Sequence, residues 1–121
     1  MVPQTLGFDA FWNWVLAHPN CILRAGTPEA VLYDDEDLHW HFASEGPNRL
    51  LIQLLRGKRL LGELVVEPDL VSYVEASAGE HEGEFLFDLI EENESERVAA
   101  YFFVLAHGFE SADVATPSRV H

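Results

Sequence analysis

The sequence predicts an α+β domain: an antiparallel β-meander of about five to seven strands, curved, flanked by an N-terminal and a C-terminal helix. Three observations predict it. Apolar residues recur at helical spacing near the start, from Cys21 to about Glu92 the period changes to two, and turn-forming residues punctuate that stretch at short intervals. The chain has 121 residues, 48% of them hydrophobic, enough for one domain with its own core.

Phe8, Phe11, Trp12 and Val15 lie on one helical stripe, with Leu16 at its edge, so residues 5–18 are expected to form a helix. Thr5 or Asp9 can cap its start. His18-Pro19-Asn20 ends it, because the residue before a proline is pushed out of the α region. Strands are expected over 21–25, 30–34, 38–44, 49–55, 59–67, 71–76 and 84–91, the first two being readable as one bent segment. The connections carry turn chemistry: Gly26-Thr27-Pro28, Asp34-Asp35-Glu36-Asp37, Glu45-Gly46-Pro47-Asn48, Arg56-Gly57-Lys58, Glu67-Pro68-Asp69, and Gly79 through Gly83. Such short links favour antiparallel neighbours. Asn93-Glu94-Ser95-Glu96 reads as a capping box opening a second helix that runs to about His107, with Gly108 as its left-handed stop. Residues 1–109 are thus expected to form one domain, and 110–121 a flexible tail.

Charge bounds the partners. The chain carries 21 acidic and 7 basic residues, a net charge of −14. Such a surface repels phosphates and anionic lipid, so neither nucleic acid nor a membrane is expected as a partner. The N-terminus lacks the basic and apolar regions of a secretory signal, and no apolar run reaches the roughly 20 residues of a membrane span. The single cysteine, Cys21, rules out an intramolecular disulfide and fits a reducing, cytoplasmic setting.

Against this background the cations Arg56, Lys58 and Arg59 are a local exception, framing Gly57 at the tip of an expected hairpin. Three cations suit a short acidic loop, such as 34–37 or 80–84 of a second copy, and are too few for a duplex. Several segments are also more apolar than a bare surface requires. On the helical wheel Trp14 falls opposite the first helix's core stripe, with Ala10 and Ala17. In the expected second helix, Val98, Tyr101, Phe102, Leu105 and Phe109 form the stripe, and Phe103 and Val104 lie off it. The central strands are apolar on both faces, where a one-sided antiparallel sheet alternates. Trp14, Phe103 and Val104 are therefore candidate partner anchors, with Arg56, Lys58 and Arg59 as steering charges.

Chemistry has less support. His39 and His41 share one face of an expected strand, so both imidazoles can approach one metal. The run His39-x-His41-x-x-x-Glu45 is similar to the first metal motif of cupins, a β-barrel family, over at most about seven residues. Tyr33 and Ile52 stand where that pattern carries glycine, and the surroundings of His81 do not match its second motif. The acidic run 34–37 lacks calcium-loop spacing, the acidic loop 80–84 can hold a cation loosely or receive the basic hairpin of a second molecule, and no nucleophile elbow, phosphate loop or dinucleotide fingerprint is present. The order of leading helix, strands and closing helix resembles that of small acidic chaperones of secretion systems, which is analogy at the level of fold.

The expectation is a small, acidic, non-enzymatic interaction module without a cofactor: an adaptor, a chaperone-like protein or a regulatory subunit of a cytosolic assembly, acting on a protein partner or as a homodimer. The alternative expectation is a ligand- or metal-binding partial barrel using His39 and His41.

Overall fold

The computed structural model describes residues 4–109, which form one helix and nine strands in two antiparallel sheets. In chain order these are β1 (Gln4–Leu6), α1 (Phe8–Leu16), β2 (Ile22–Thr27), β3 (Ala30–Tyr33), β4 (His39–Ser44), β5 (Leu50–Arg56), β6 (Arg59–Val66), β7 (Tyr73–Ala78), β8 (Phe85–Glu92) and β9 (Arg97–Leu105). Single 3-10 turns, Pro19–Cys21 and Pro68–Leu70, precede β2 and β7. The six-stranded sheet has the order β1-β7-β8-β9-β2-β3, and the three-stranded sheet the order β4-β5-β6. The mixed α and β character expected from sequence is present, and each strand from β2 to β8 falls within two residues of its expected bounds.

The arrangement differs from a meander between two helices. The segment expected as the closing helix is β9, the central strand that joins β8 to β2. Its apolar surplus serves two sheet faces rather than a helix surface. Tyr101, Phe103 and Leu105 point into the core, while Phe102 and Val104 alternate to the other face. The expected capping box is a hairpin turn. The Asn93 carboxamide oxygen accepts from the amides of Ser95 and Glu96 at 2.9 and 3.1 Å, and the Asn93 amide donates to the Glu96 carbonyl at 2.9 Å. Helix α1 is shorter than expected, because residues 4–6 pair with β7 instead. Neither Thr5 nor Asp9 caps it; Gly7 holds the cap position without a side-chain hydrogen bond. The 110–121 tail lies outside the described residues.

The core sits between the inner face of the six-stranded sheet, α1 and the three-stranded sheet. Phe11 of α1 meets Phe87 and Phe103 at ring-centroid distances of 5.2 and 5.4 Å. Trp12 reaches across to Phe42 of β4 at 5.6 Å, so the helix bridges the two sheets. Tyr101 adds a polar tie: its hydroxyl accepts from the Glu67 amide at 3.1 Å, just past β6. The sheets also meet at one edge, where Leu32 of β3 covers Gly62 of β6 so closely that any side chain at 62 would collide with it. This contact brings the edge strands β3 and β6 together, and the candidate site is built there.

Candidate interaction site at the β5–β6 hairpin

The tip forms where β5 and β6 exchange direction through two residues, Gly57 and Lys58, with Arg56 directly opposite Arg59. Gly57 has φ +61, the left-handed conformation that a glycine at the first central position of a tight hairpin turn supplies. Two arginines face to face across a hairpin repel each other, so the arrangement costs stability and raises the local positive potential.

Ion pairing sets these cations apart from the other described ones. Arg24 pairs with Glu84 at 3.2 Å, Arg49 with Glu45 at 3.6 Å and Arg97 with Glu75 at 2.7 Å. Arg56, Lys58 and Arg59 are exposed, and among the described residues no carboxylate lies within ion-pairing distance of them. Asp34, Asp35, Glu36 and Asp37 are likewise exposed and among the described residues none is ion-paired with a cation, whereas Glu84 of the other acidic loop is taken by Arg24. Register places the 34–37 connection beside the tip. His39 opens β4 opposite Leu55, and Leu55 faces Leu60, so the chain before His39 enters the sheet at the end from which Arg56 and Arg59 project.

The apolar part of this surface was not singled out from sequence. Leu60 is 50% exposed, Leu61 41% and Tyr33 62%, and Val31 is also exposed, so four of the seven large exposed hydrophobic residues among the described residues lie on β3 and β6. Leu61 is the extra residue of a β-bulge, since Leu54 pairs with Gly62 and Leu55 with Leu60. A signal was available: Leu60-Leu61 directly follows the basic turn, and Tyr33 directly precedes the acidic run.

The three apolar anchor candidates lie elsewhere, and inside. Trp14 is 2% exposed and packs against Phe87, Phe109 and His18 at ring-centroid distances of 5.2, 5.4 and 4.8 Å. The indole, on the side of α1 that the helical wheel left outside, is covered by Phe87 of β8 and Phe109 after β9, while Ala17 stays exposed. Phe103 is fully buried on the core face of β9. Val104 is nearly closed to solvent on the opposite face, between Leu86 and Arg24 in cross-strand register. With Leu86, Phe102, Arg24, Gly79 and Glu80 it lines a cleft of about 340 Å³.

His39 and His41 project from the outer face of β4. His41 Nδ1 lies 3.1 Å from the Gln53 carboxamide oxygen, and Gln53 Nε2 donates to Glu63 at 2.8 Å, forming a polar row across β4, β5 and β6. Among the described residues no group of three or more His, Cys, Asp or Glu side chains converges in a way that could hold a metal ion. Cys21 is half-buried where α1 gives way to β2; its amide donates to the His18 carbonyl, and its carbonyl accepts from Ala106.

One carboxyl is electrostatically unusual. Burial on the outer face of β8 pushes Asp88 above its ordinary range, and the neighbouring Glu75 adds to the effect while Arg97 opposes it. Arg97 is held firmly protonated by hydrogen bonds to the Tyr73 hydroxyl at 2.9 Å and to Glu75. This trio lies on the six-stranded sheet, away from the hairpin tip. No family model matches the chain, and no curated protein or solved structure is similar enough to match it.

Proposed function

We propose that the protein is a small acidic interaction module, an adaptor, chaperone-like protein or regulatory subunit, that engages an acidic segment of a protein partner through the β5–β6 tip. The observation that carries this reading is the contrast in pairing: Arg24, Arg49 and Arg97 each hold a glutamate, while Arg56, Lys58 and Arg59 hold none among the described residues. Complementary charges of this kind steer encounter and fix orientation. Leu60 and Leu61 supply adjoining apolar area, the part of a contact that releases water on burial. Trp14 and Phe103 act from within, by holding the scaffold, and Val104 supports the outer face of the six-stranded sheet.

The test compares the native protein with R56E/K58E/R59E in pull-downs read by quantitative mass spectrometry, the two having matching far-ultraviolet circular dichroism. The expected result is a partner set enriched by the native protein, released by salt and lost from the variant. An identical set from both proteins refutes the assignment of the tip.

A further inference from the structure

We infer that the tip's acidic counterpart is the 34–37 connection of a second copy of this chain, paired through a two-fold axis. This rests on the reading of the tip as a docking device and names its partner. A two-fold interface uses one patch on both molecules, so the patch must complement itself: what residue i offers, residue j of the other copy must accept, and the reverse. A patch with one sign of charge fails that test, and one with both signs side by side passes it. The end of the three-stranded sheet carries both. Arg56, Lys58 and Arg59 project from the β5–β6 turn, the 34–37 carboxylates enter beside them before β4, and neither group is ion-paired among the described residues.

The competing acidic loop is less suited, because Glu84 is bound to Arg24 and half-buried. Tyr33 and Leu60-Leu61 flank the two charged segments directly in sequence, so closing the reciprocal ion pairs brings exposed apolar side chains of both copies toward the contact. Two copies that each carry a net charge of −14 repel at long range. The local pairing of opposite signs is what allows them to meet, and it selects one orientation.

A charge swap tests this. R56E/K58E/R59E makes the whole patch acidic, and D34K/E36K/D37K makes it basic at every position but Asp35. Asp35 is left in place because its carboxylate accepts from the Glu36 amide at 2.7 Å. In sedimentation equilibrium up to about 1 mM protein, the weak end of measurable association, the native chain should dimerise and each variant should weaken the dimer at least tenfold. An equimolar mixture of the two variants should restore it. The D34K/E36K/D37K result separates patch complementarity from net charge, since that variant carries less negative charge than the native chain and still loses the dimer.

A monomeric native chain, a dimer indifferent to either variant, or a mixture that stays monomeric overturns the inference. A synthetic peptide of residues 33–38, titrated against the native chain and R56E/K58E/R59E, distinguishes the two levels of failure. Tip-dependent peptide binding by a strictly monomeric protein leaves the docking device standing and removes only the second copy; no tip-dependent binding together with no dimer removes both.

Discussion

Trp14 provides the sharpest test of how the scaffold works, because its place on the helical wheel and its place in the fold lead to opposite expectations. As a surface anchor it could be removed with little effect on stability, since exposed substitutions usually fall within about 0.5 kcal/mol. In the structure it is 2% exposed and packed against Phe11, Phe87 and Phe109. Replacing a large buried ring by alanine costs about 3–5 kcal/mol, the sum of lost transfer free energy and the cavity left behind. The upper half of that range applies here, because α1, β8 and the chain after β9 all converge on the indole and cannot all collapse into its space. A domain is stable by only about 5–15 kcal/mol, so Trp14→Ala should leave the protein marginal. With a urea m-value of about 2 kcal/mol/M, the unfolding midpoint should fall by about 2 M. Trp12 and Trp40 remain as fluorescence reporters in the variant, and Trp14→Phe, which keeps a ring against Phe87, should recover most of the loss. An unchanged midpoint for Trp14→Ala, with altered association, would refute the placement of this residue in the core.

Two further outcomes follow from the same structure. Asp88 binds its proton more tightly in the folded protein than in the unfolded chain, so between its ordinary value of 3.8 and its raised one the native state carries the extra proton; stability therefore falls as pH rises through that window, stays lower once the carboxylate is ionised in both states, and returns on acidification. Asp88→Asn should raise the melting temperature at pH 7 and remove this contribution to the pH dependence, and a lower melting temperature at pH 7 would contradict it. At Gly26, a Cβ would strike the Ala30 carbonyl oxygen and approach Val31 Cα to 2.8 Å, so Gly26→Ala must shift the β2–β3 backbone, at a cost of about 1–3 kcal/mol read as a lower urea midpoint. A native-like midpoint would show that the hairpin is looser than its contacts indicate.

Much of the strand content was legible from alternation and turn chemistry, because those signals are local. Each strand from β2 to β8 lies between turns that proline, glycine or acidic residues mark in the sequence. In the C-terminal segment two local signals are degenerate between helix and strand. A carboxamide at Asn93 can satisfy the next free amides either as a helix cap or, as here, within a hairpin turn. Residues 97–105 satisfy a helical stripe and a strand alternation at once, since nearly every position from Val98 onward is apolar. What decides is non-local: β8 and β2 both need a partner, and β9 pairs with each of them. The density of Val, Tyr and Phe in that segment was the available clue, as such residues fit a pleated surface better than a helix. Strand β1 was invisible for a related reason, because three residues carry no period and exist as a strand only through β7.

The candidate site was half legible. That Arg56, Lys58 and Arg59 cluster is a fact of sequence; that they go unpaired among the described residues while Arg24, Arg49 and Arg97 find glutamates is a fact of folding. The difference bears on why cations are there at all. A turn that only needed to keep Leu60 and Leu61 soluble would be served at least as well by Asp or Glu, which favour solubility more than Lys or Arg and predominate elsewhere in the chain. Placing arginines opposite each other across a two-residue turn instead incurs repulsion that nothing within the described chain relieves. An acidic segment from outside would relieve it, and the exposed leucines beside the turn would be covered in the same step. The charge pattern and the apolar exposure are thus accounted for by a single contact, whereas solubility explains one of them and leaves the choice of sign unexplained.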